Sequence, residues 1–253
     1  MKSEIKNLFI CGPNRSGTSL LRELLNENDF VKLNKIESNF FYIIKKTNSK
    51  NNFKEKLIEN KKFMDWFGDK SFLCNIIDNY YPDRFEIYNN LLKKKLFLND
   101  KILFYGEKNT FLEFKFIEYL KYYGKNLNFI HIIRDPLKTF DSQIYYKGQK
   151  RKIYLIRWYT KWLLSLIISK YFSFRYKGLF LTITYSDLIH KKKYTENKIN
   201  NFLDTKKIKF NEKLFKSKIN SSFKYDQNTY RSDEKFKRLI IKYTLVPIYK
   251  ILI

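Results

Sequence analysis

The chain is short of the residues that build metal sites and disulfide frameworks. Its 253 residues include only two cysteines and two histidines. Cys11 and Cys74 suggest no disulfide scaffold, and with His131 and His190 they form no zinc-ligand spacing. Seven glycines and four prolines leave little loop punctuation, so a glycine pair within one short segment stands out. Long hydrophobic runs are missing too. The apolar stretch 153–172 is interrupted by Arg157 and Lys161. The run from Leu239 to Ile253 carries Lys242, Pro247 and Lys250 and is too short to span a bilayer, although it could lie on a membrane surface. The first residues enter a strand pattern without the apolar segment of a secretion signal, which predicts a cytoplasmic protein. Acidic residues are scarce: 25 Asp and Glu face 51 Lys and Arg, a formal net charge of +26.

That imbalance suits an anionic partner such as a nucleotide, a polyanion, nucleic acid or an acidic membrane. An AT-rich coding sequence, enriched in Lys, Asn, Ile, Phe and Tyr together, would produce the same balance. Charge at defined positions therefore carries more information than the total. Hydrophobic residues are 44% of the chain, with 24 Phe and 20 Tyr, which is ample for a core and excludes a disordered chain. The length fits one α/β domain over residues 1–253.

Residues 7–11 (Asn-Leu-Phe-Ile-Cys) read as a buried strand. After the loop at 12–17, Thr18 to Glu27 reads as a helix with Leu20, Leu21, Leu24 and Leu25 on one face. Residues 36–98 are mostly helical in pattern, looser near 47–52 and 80–84. A second strand is expected at 101–105, closed by Gly106. Thr110-Phe-Leu-Glu113 has the pattern of a capping box opening a helix to about Tyr123. A third strand is expected from Asn128 to Ile133, and Asp135-Pro136 suits the cap and first position of the next helix. A long helix over 151–175, a strand from Leu179 to Thr184 and a largely helical remainder follow. Alternating strands and helices predict an α/β fold: a P-loop-like central parallel sheet flanked by helices on both faces. Ligands of such sheets sit beyond the carboxyl ends of the strands.

Gly12-Pro13-Asn14-Arg15-Ser16-Gly17-Thr18-Ser19 nearly fits the phosphate-loop pattern G-x-x-x-x-G-K-[ST]. Glycines let backbone N–H groups curl round an anion at a helix N-terminus. Thr18 stands where a kinase or ATPase needs lysine for its β- and γ-phosphates, which argues against γ-phosphate chemistry. Arg15 can supply positive charge from within the loop instead. The bland alternative is a sharp basic turn with no ligand.

Arg15-Ser-Gly-Thr-Ser19 after an apolar strand resembles the site for the 5′-phosphosulfate of 3′-phosphoadenosine 5′-phosphosulfate (PAPS) in the sulfotransferase superfamily. Phe129-Ile-His-Ile-Ile-Arg134-Asp-Pro-Leu-Lys-Thr-Phe-Asp-Ser142 resembles the same superfamily's strand–R-D-P–helix element, where an Arg and a Ser eight residues on bind the 3′-phosphate. The resemblance covers 6–28 and 127–147 well and is weaker at 36–41, 101–113 and 179–188. It is nearest to the tyrosylprotein and carbohydrate sulfotransferases and bacterial relatives. The histidine base and the C-terminal K-G-x-x-G-D-W-K motif of the cytosolic steroid and phenol enzymes are not seen. The resemblance implies that Asn14, Arg15, Ser16, Gly17, Thr18, Ser19, Arg134 and Ser142 bind the donor. Tyr185, in Thr184-Tyr-Ser-Asp-Leu188, resembles the Y-E-D-L segment that touches the nucleotide.

Glu37, in Lys35-Ile-Glu-Ser-Asn-Phe-Phe41, resembles the acidic segment holding the catalytic glutamate of the tyrosylprotein branch and is the candidate base. An exposed glutamate favoured by a helix start is the alternative. Lys108, in Gly106-Glu-Lys-Asn-Thr110, matches the lysine of an E-K-T-P segment and is the candidate for the bridging oxygen of the leaving group; a solvent lysine is the alternative. His131, among apolar residues, is expected to be a core histidine. Ser221, Ser222, Phe223 and Lys224 are candidates to close over the nucleotide. The expected reaction is sulfuryl transfer from PAPS to a hydroxyl, first of all on a glycan or glycolipid, without a metal. A P-loop kinase and a non-catalytic basic module for nucleic acid or membranes are the rivals; no nucleic-acid partner is expected.

Overall fold

The computed structural model describes residues 5–45, 47–96, 99, 101–144, 154–219 and 232–253. Its strands are β1 (Lys6–Cys11), β2 (Val31–Asn34), β3 (Phe104–Glu107), β4 (Leu127–Ile133) and β5 (Phe180–Thr184). The first half of the chain adds α1 (Thr18–Asn26), α2 (Phe40–Ile43), α3 (Lys50–Glu59), α4 (Lys61–Phe67), α5 (Lys70–Tyr80), α6 (Arg84–Leu96) and α7 (Phe116–Tyr123). The second half adds α8 (Pro136–Ile144), α9 (Leu155–Arg175), α10 (Tyr185–His190), α11 (Lys192–Phe202), α12 (Glu212–Ile219) and α13 (Ser232–Leu252).

The strands form one parallel sheet in the order β2-β3-β1-β4-β5, with Phe9 opposite Phe129 and Phe129 opposite Phe180. Successive side chains of a strand point to opposite faces, so β1 feeds two cores. Phe9 and Cys11 join an aromatic cluster with Phe40, Tyr88, Phe116 and Tyr119. Leu8 and Ile10 pack with Leu21, Leu24 and Leu25 of α1 on the other face. Helices therefore cover both faces, as expected. A third cluster joins Ile133, Phe140, Trp162, Ile241 and Leu245 of β4, α8, α9 and α13.

The helical region after residue 36 is divided by its own caps. Ser49, Asn60 and Asp69 side chains accept from the backbone N–H groups of Asn52, Phe63 and Phe72 at 3.2, 2.9 and 2.9 Å. The expected break near 80–84 separates α5 from α6, whereas the loose stretch at 47–52 already holds the first turn of α3.

One strand goes beyond the expectations, and two expectations need correction. Val31–Asn34 is a strand that no sequence pattern announced; it is four residues long and gains its place by pairing with β3. The second expected strand begins later, at Phe104, and Gly106 lies inside it. A Cβ on Gly106 would stand 2.0 Å from the carbonyl oxygen of Leu8, so the glycine permits close strand approach rather than closing the strand. The Thr110–Glu113 capping box does not form. A 3₁₀ turn occupies Leu112–Lys115 and α7 starts at Phe116, because Glu113 turns inward to a fully buried position.

Among the described residues, no helix is long and apolar enough to cross a membrane. Residues 151–153 of the expected long helix lie outside the described residues, as do Ser221, Ser222, Phe223 and Lys224.

Candidate functional site

The sheet reverses its winding at β1, which has β3 on one side and β4 on the other. Such a switch point opens a crevice at the carboxyl ends of the strands. The loop 12–17 leaves β1 at that crevice. Gly12 has φ 138° and Gly17 φ 106°, conformations that favour glycine. A Cβ on Gly12 would strike the Ile132 carbonyl oxygen at 2.2 Å, and one on Gly17 would strike the Tyr185 ring at 2.3 Å. Arg15 is itself left-handed, at φ 67°, and the Ser16 N–H donates to the Pro13 carbonyl at 3.2 Å. No side chain caps the first turn of α1, so its N–H groups face the crevice with their partial positive charge. The Ser16 hydroxyl is buried with no hydrogen-bond partner among the described residues. Thr18 is buried, Asn14 half-buried and Ser19 exposed.

The loop after β4 meets this one. Asp135 accepts from the Lys138 N–H at 2.9 Å and caps the start of α8 with Pro136 in the first position, as its sequence predicts. That anchoring presents Arg134 and Ser142 to the loop. Arg15 Nε donates to Ser142 Oγ at 3.1 Å across 127 residues of sequence. Arg134 Nη1 donates to the Arg15 carbonyl at 3.4 Å, and its guanidinium stacks 4.5 Å above the centre of the Tyr185 ring. Arg134 Nε is buried with no hydrogen-bond partner among the described residues. Thus Arg15, Gly17, Arg134, Ser142 and Tyr185 form one cluster.

The other two candidates meet on the β3 side. Glu37 and Lys108 form a salt bridge. Lys108 follows β3 and pairs with Ile10 of β1, and the Asn109 N–H donates to the Ile10 carbonyl at 3.0 Å. The Phe111 N–H donates to the Gly12 carbonyl at 3.0 Å, so this segment runs beside the loop. Glu107, buried, accepts from the Ser38 N–H and hydroxyl, both at 3.1 Å. Arg22 of α1 donates to the Lys35 carbonyl and to Glu23. Neither anchor was singled out in the sequence. Glu107 had a legible sign, a carboxylate at an otherwise apolar strand end. Arg22 had none, being one basic residue among many.

Beneath the loop, on the aromatic face, Glu113, His131 and Ser165 form a fully buried polar group. Ser165 donates to Glu113 Oε1, and His131 Nε2 lies 3.0 Å from the Ser165 hydroxyl. Burial pushes the Glu113 carboxyl up to about 7 and the His131 imidazole down to about 3. His131 is therefore the core histidine expected, and its depth keeps it from any ligand in the crevice.

The arrangement joins a cationic, N–H-lined cradle for anions to an acid–lysine pair at the neighbouring strand end. A model of the Sulfotransferase family matches residues 7–208. The sulfotransferase domain of the Synechococcus PCC 7002 olefin synthase is similar in structure, with a TM-score of 0.55 and 17% identity over 85% of this chain and 78% of that one. A sulfotransferase from Alicyclobacillus acidocaldarius aligns with a TM-score of 0.54 and 14% identity over 96% of both chains. No curated protein sequence matches this chain.

Proposed function

From the chain's membership of the sulfotransferase family, which makes it an enzyme that transfers sulfuryl groups, we propose that its donor is PAPS and its acceptor a hydroxyl on a carbohydrate or glycolipid. The observation that carries the donor reading is the Arg15–Ser142 hydrogen bond with Arg134 beside it, which unites two motifs distant in sequence. The cluster suits a nucleotide with phosphates at both ends. Ser16 Oγ and Arg134 Nε are buried donors without partners among the described residues, and the uncapped start of α1 adds backbone N–H groups. Asn14 to Ser19 hold the phosphosulfate, Arg134 and Ser142 the 3′-phosphate, and Tyr185 the nucleoside.

Glu37 takes the proton of the acceptor hydroxyl. The acceptor oxygen forms its bond to sulfur as the bond from sulfur to the 5′-phosphate oxygen breaks, leaving 3′-phosphoadenosine 5′-phosphate. Lys108, paired with Glu37 before the donor arrives, turns to the bridging oxygen and neutralises the charge that develops there. That exchange frees the Glu37 carboxylate when the donor is in place. Arg15, Lys108 and backbone amides carry the charge, so the step calls for no metal.

The deciding experiment is a thermal-shift titration with 3′-phosphoadenosine 5′-phosphate, alongside ATP with and without Mg²⁺. At 100 times its Kd the bisphosphate adds ~2.7 kcal/mol, a rise of roughly 5–10 °C at this size. The rise is expected without metal and is lost in Arg134→Ala. A rise with Mg-ATP alone overturns the donor assignment.

A further inference from the structure

An open pocket of about 210 Å³ adjoins the loop at Asn14. Asn14 and Phe111 connect it to the phosphate loop and to the segment after Lys108. Its far wall is one face of α9 and the residue before it: Tyr154, Arg157, Trp158 and Lys161, at the i, i+3, i+4 and i+7 positions that align on a helix. Trp158 Nε1 donates to Gln143 Oε1 at 3.0 Å, which fixes both side chains where Gln143 lines the pocket beside Ser142.

The lining has a definite chemistry. Among the described residues that line it are three aromatic rings, two side-chain amides and two cations, and no carboxylate. Among the described residues neither Arg157 nor Lys161 has a carboxylate partner; the Lys161 ammonium lies 5.6 Å from the Phe111 ring centre. An apolar phenol or steroid is best held in an enclosed slot. An open pocket with aromatic faces and amides suits a hydroxyl-rich ring, which stacks its C–H face and hydrogen-bonds its edge. Two unmatched cations on the same wall add a requirement for negative charge.

We infer that this pocket binds the acceptor as an acidic saccharide, its ring against the exposed Tyr154 side and its carboxylate or acidic ester on Arg157 and Lys161. The inference rests on the sulfuryl-transfer reading and narrows its acceptor. A neutral sugar, a phenol and an acidic tyrosine peptide are the competing occupants.

The test compares a hexuronate-containing disaccharide, its carboxyl-reduced form, a sugar phosphate, a simple phenol and an acidic tyrosine peptide. Saturation-transfer NMR reports their binding in the presence of 3′-phosphoadenosine 5′-phosphate, and transfer from PAPS gives KM. The proteins are wild type, the Arg157→Ala/Lys161→Ala double variant, and Lys125→Ala as a charge control on the 3₁₀ turn before β4. The acidic disaccharide should bind and turn over with a KM about tenfold below that of its reduced form, the scale of two solvent-screened charge contacts. The advantage should vanish in the double variant, persist in Lys125→Ala, and leave the thermal shift with the bisphosphate intact in both. The sugar phosphate tells an acidic ester from a carboxylate. Equal KM values for the acidic and reduced sugars, or preference for the phenol or peptide, with that shift intact, overturns the acidic-saccharide inference alone. Absence of the shift in wild type overturns the donor reading, and NMR on the protein without nucleotide then decides whether the pocket still selects the acidic sugar.

Discussion

At the scale of single residues, the site depends on how two opposite charges are placed. Glu37 is carried on a segment between β2 and α2, where no regular element holds it. Its neighbour Ser38 gives two hydrogen bonds to the buried Glu107, and Lys108 is the next residue after Glu107. One buried carboxylate therefore anchors the segment of Glu37 to the strand end that bears Lys108. Glu37→Gln keeps the side chain's shape and removes its basicity. We expect kcat to fall by ~10²–10⁴, the range for loss of a general base, with the thermal shift from 3′-phosphoadenosine 5′-phosphate unchanged. Near-normal kcat in that variant would remove Glu37 from the mechanism.

At the scale of elements, glycines decide how closely the parts of the crevice approach. Gly106 lets β3 lie against the Leu8 carbonyl of β1, and that approach sets Lys108 beside Ile10. Gly106→Ala puts a methyl group 2.0 Å from that oxygen, which is backbone and cannot swing aside. The strands must part, at a cost of ~1–3 kcal/mol or more by analogy with overpacked cores. Urea denaturation should show a lower midpoint with little change in slope; a wild-type midpoint would mean that the two strands have room to spare. Gly17 has the same role toward Tyr185. The uncapped start of α1 contrasts with the side-chain caps of α3, α4 and α5. Helices α2, α7, α9 and α11 also start without a side-chain cap, so what sets α1 apart is that its open N–H groups lie at the crevice.

At the scale of the whole molecule, the buried group under the loop couples folding to pH. Glu113 is raised from an ordinary 4.5 to about 7, so the unfolded chain loses its proton first and stability falls as pH rises through that interval. His131 is lowered from 6.5 to about 3, so the unfolded chain takes up a proton that the fold refuses, and stability falls as pH drops through that interval. Between pH 4.5 and 6.5 the two effects oppose each other. Glu113→Gln leaves His131 unopposed. Relative to wild type, the variant's unfolding free energy should climb with pH across this window, by up to about 1.4 kcal/mol per unit. Chemical denaturation at several pH values checks this; parallel profiles would mean that Glu113 titrates alike in the fold and the unfolded chain.

The sequence alone determined the class of fold and the two segments that meet at the crevice, the loop after β1 and the start of α8. Both are written locally: apolar runs make β1 and β4, glycines flank Arg15, and Asp135-Pro136 starts α8. Local rules of period, turn and cap suffice there because neighbours along the chain impose them. Tertiary structure decided the rest. Val31–Asn34 becomes a strand only because β3 offers it backbone partners. Glu113 fits a capping box by pattern, yet its contact with Ser165, 52 residues away, takes it into the core. Arg157 and Lys161 read only as interruptions in an apolar run until the helix brought them to the pocket beside Asn14. Contacts of this kind depend on which surfaces the sheet order brings together, and a one-dimensional pattern does not hold that information.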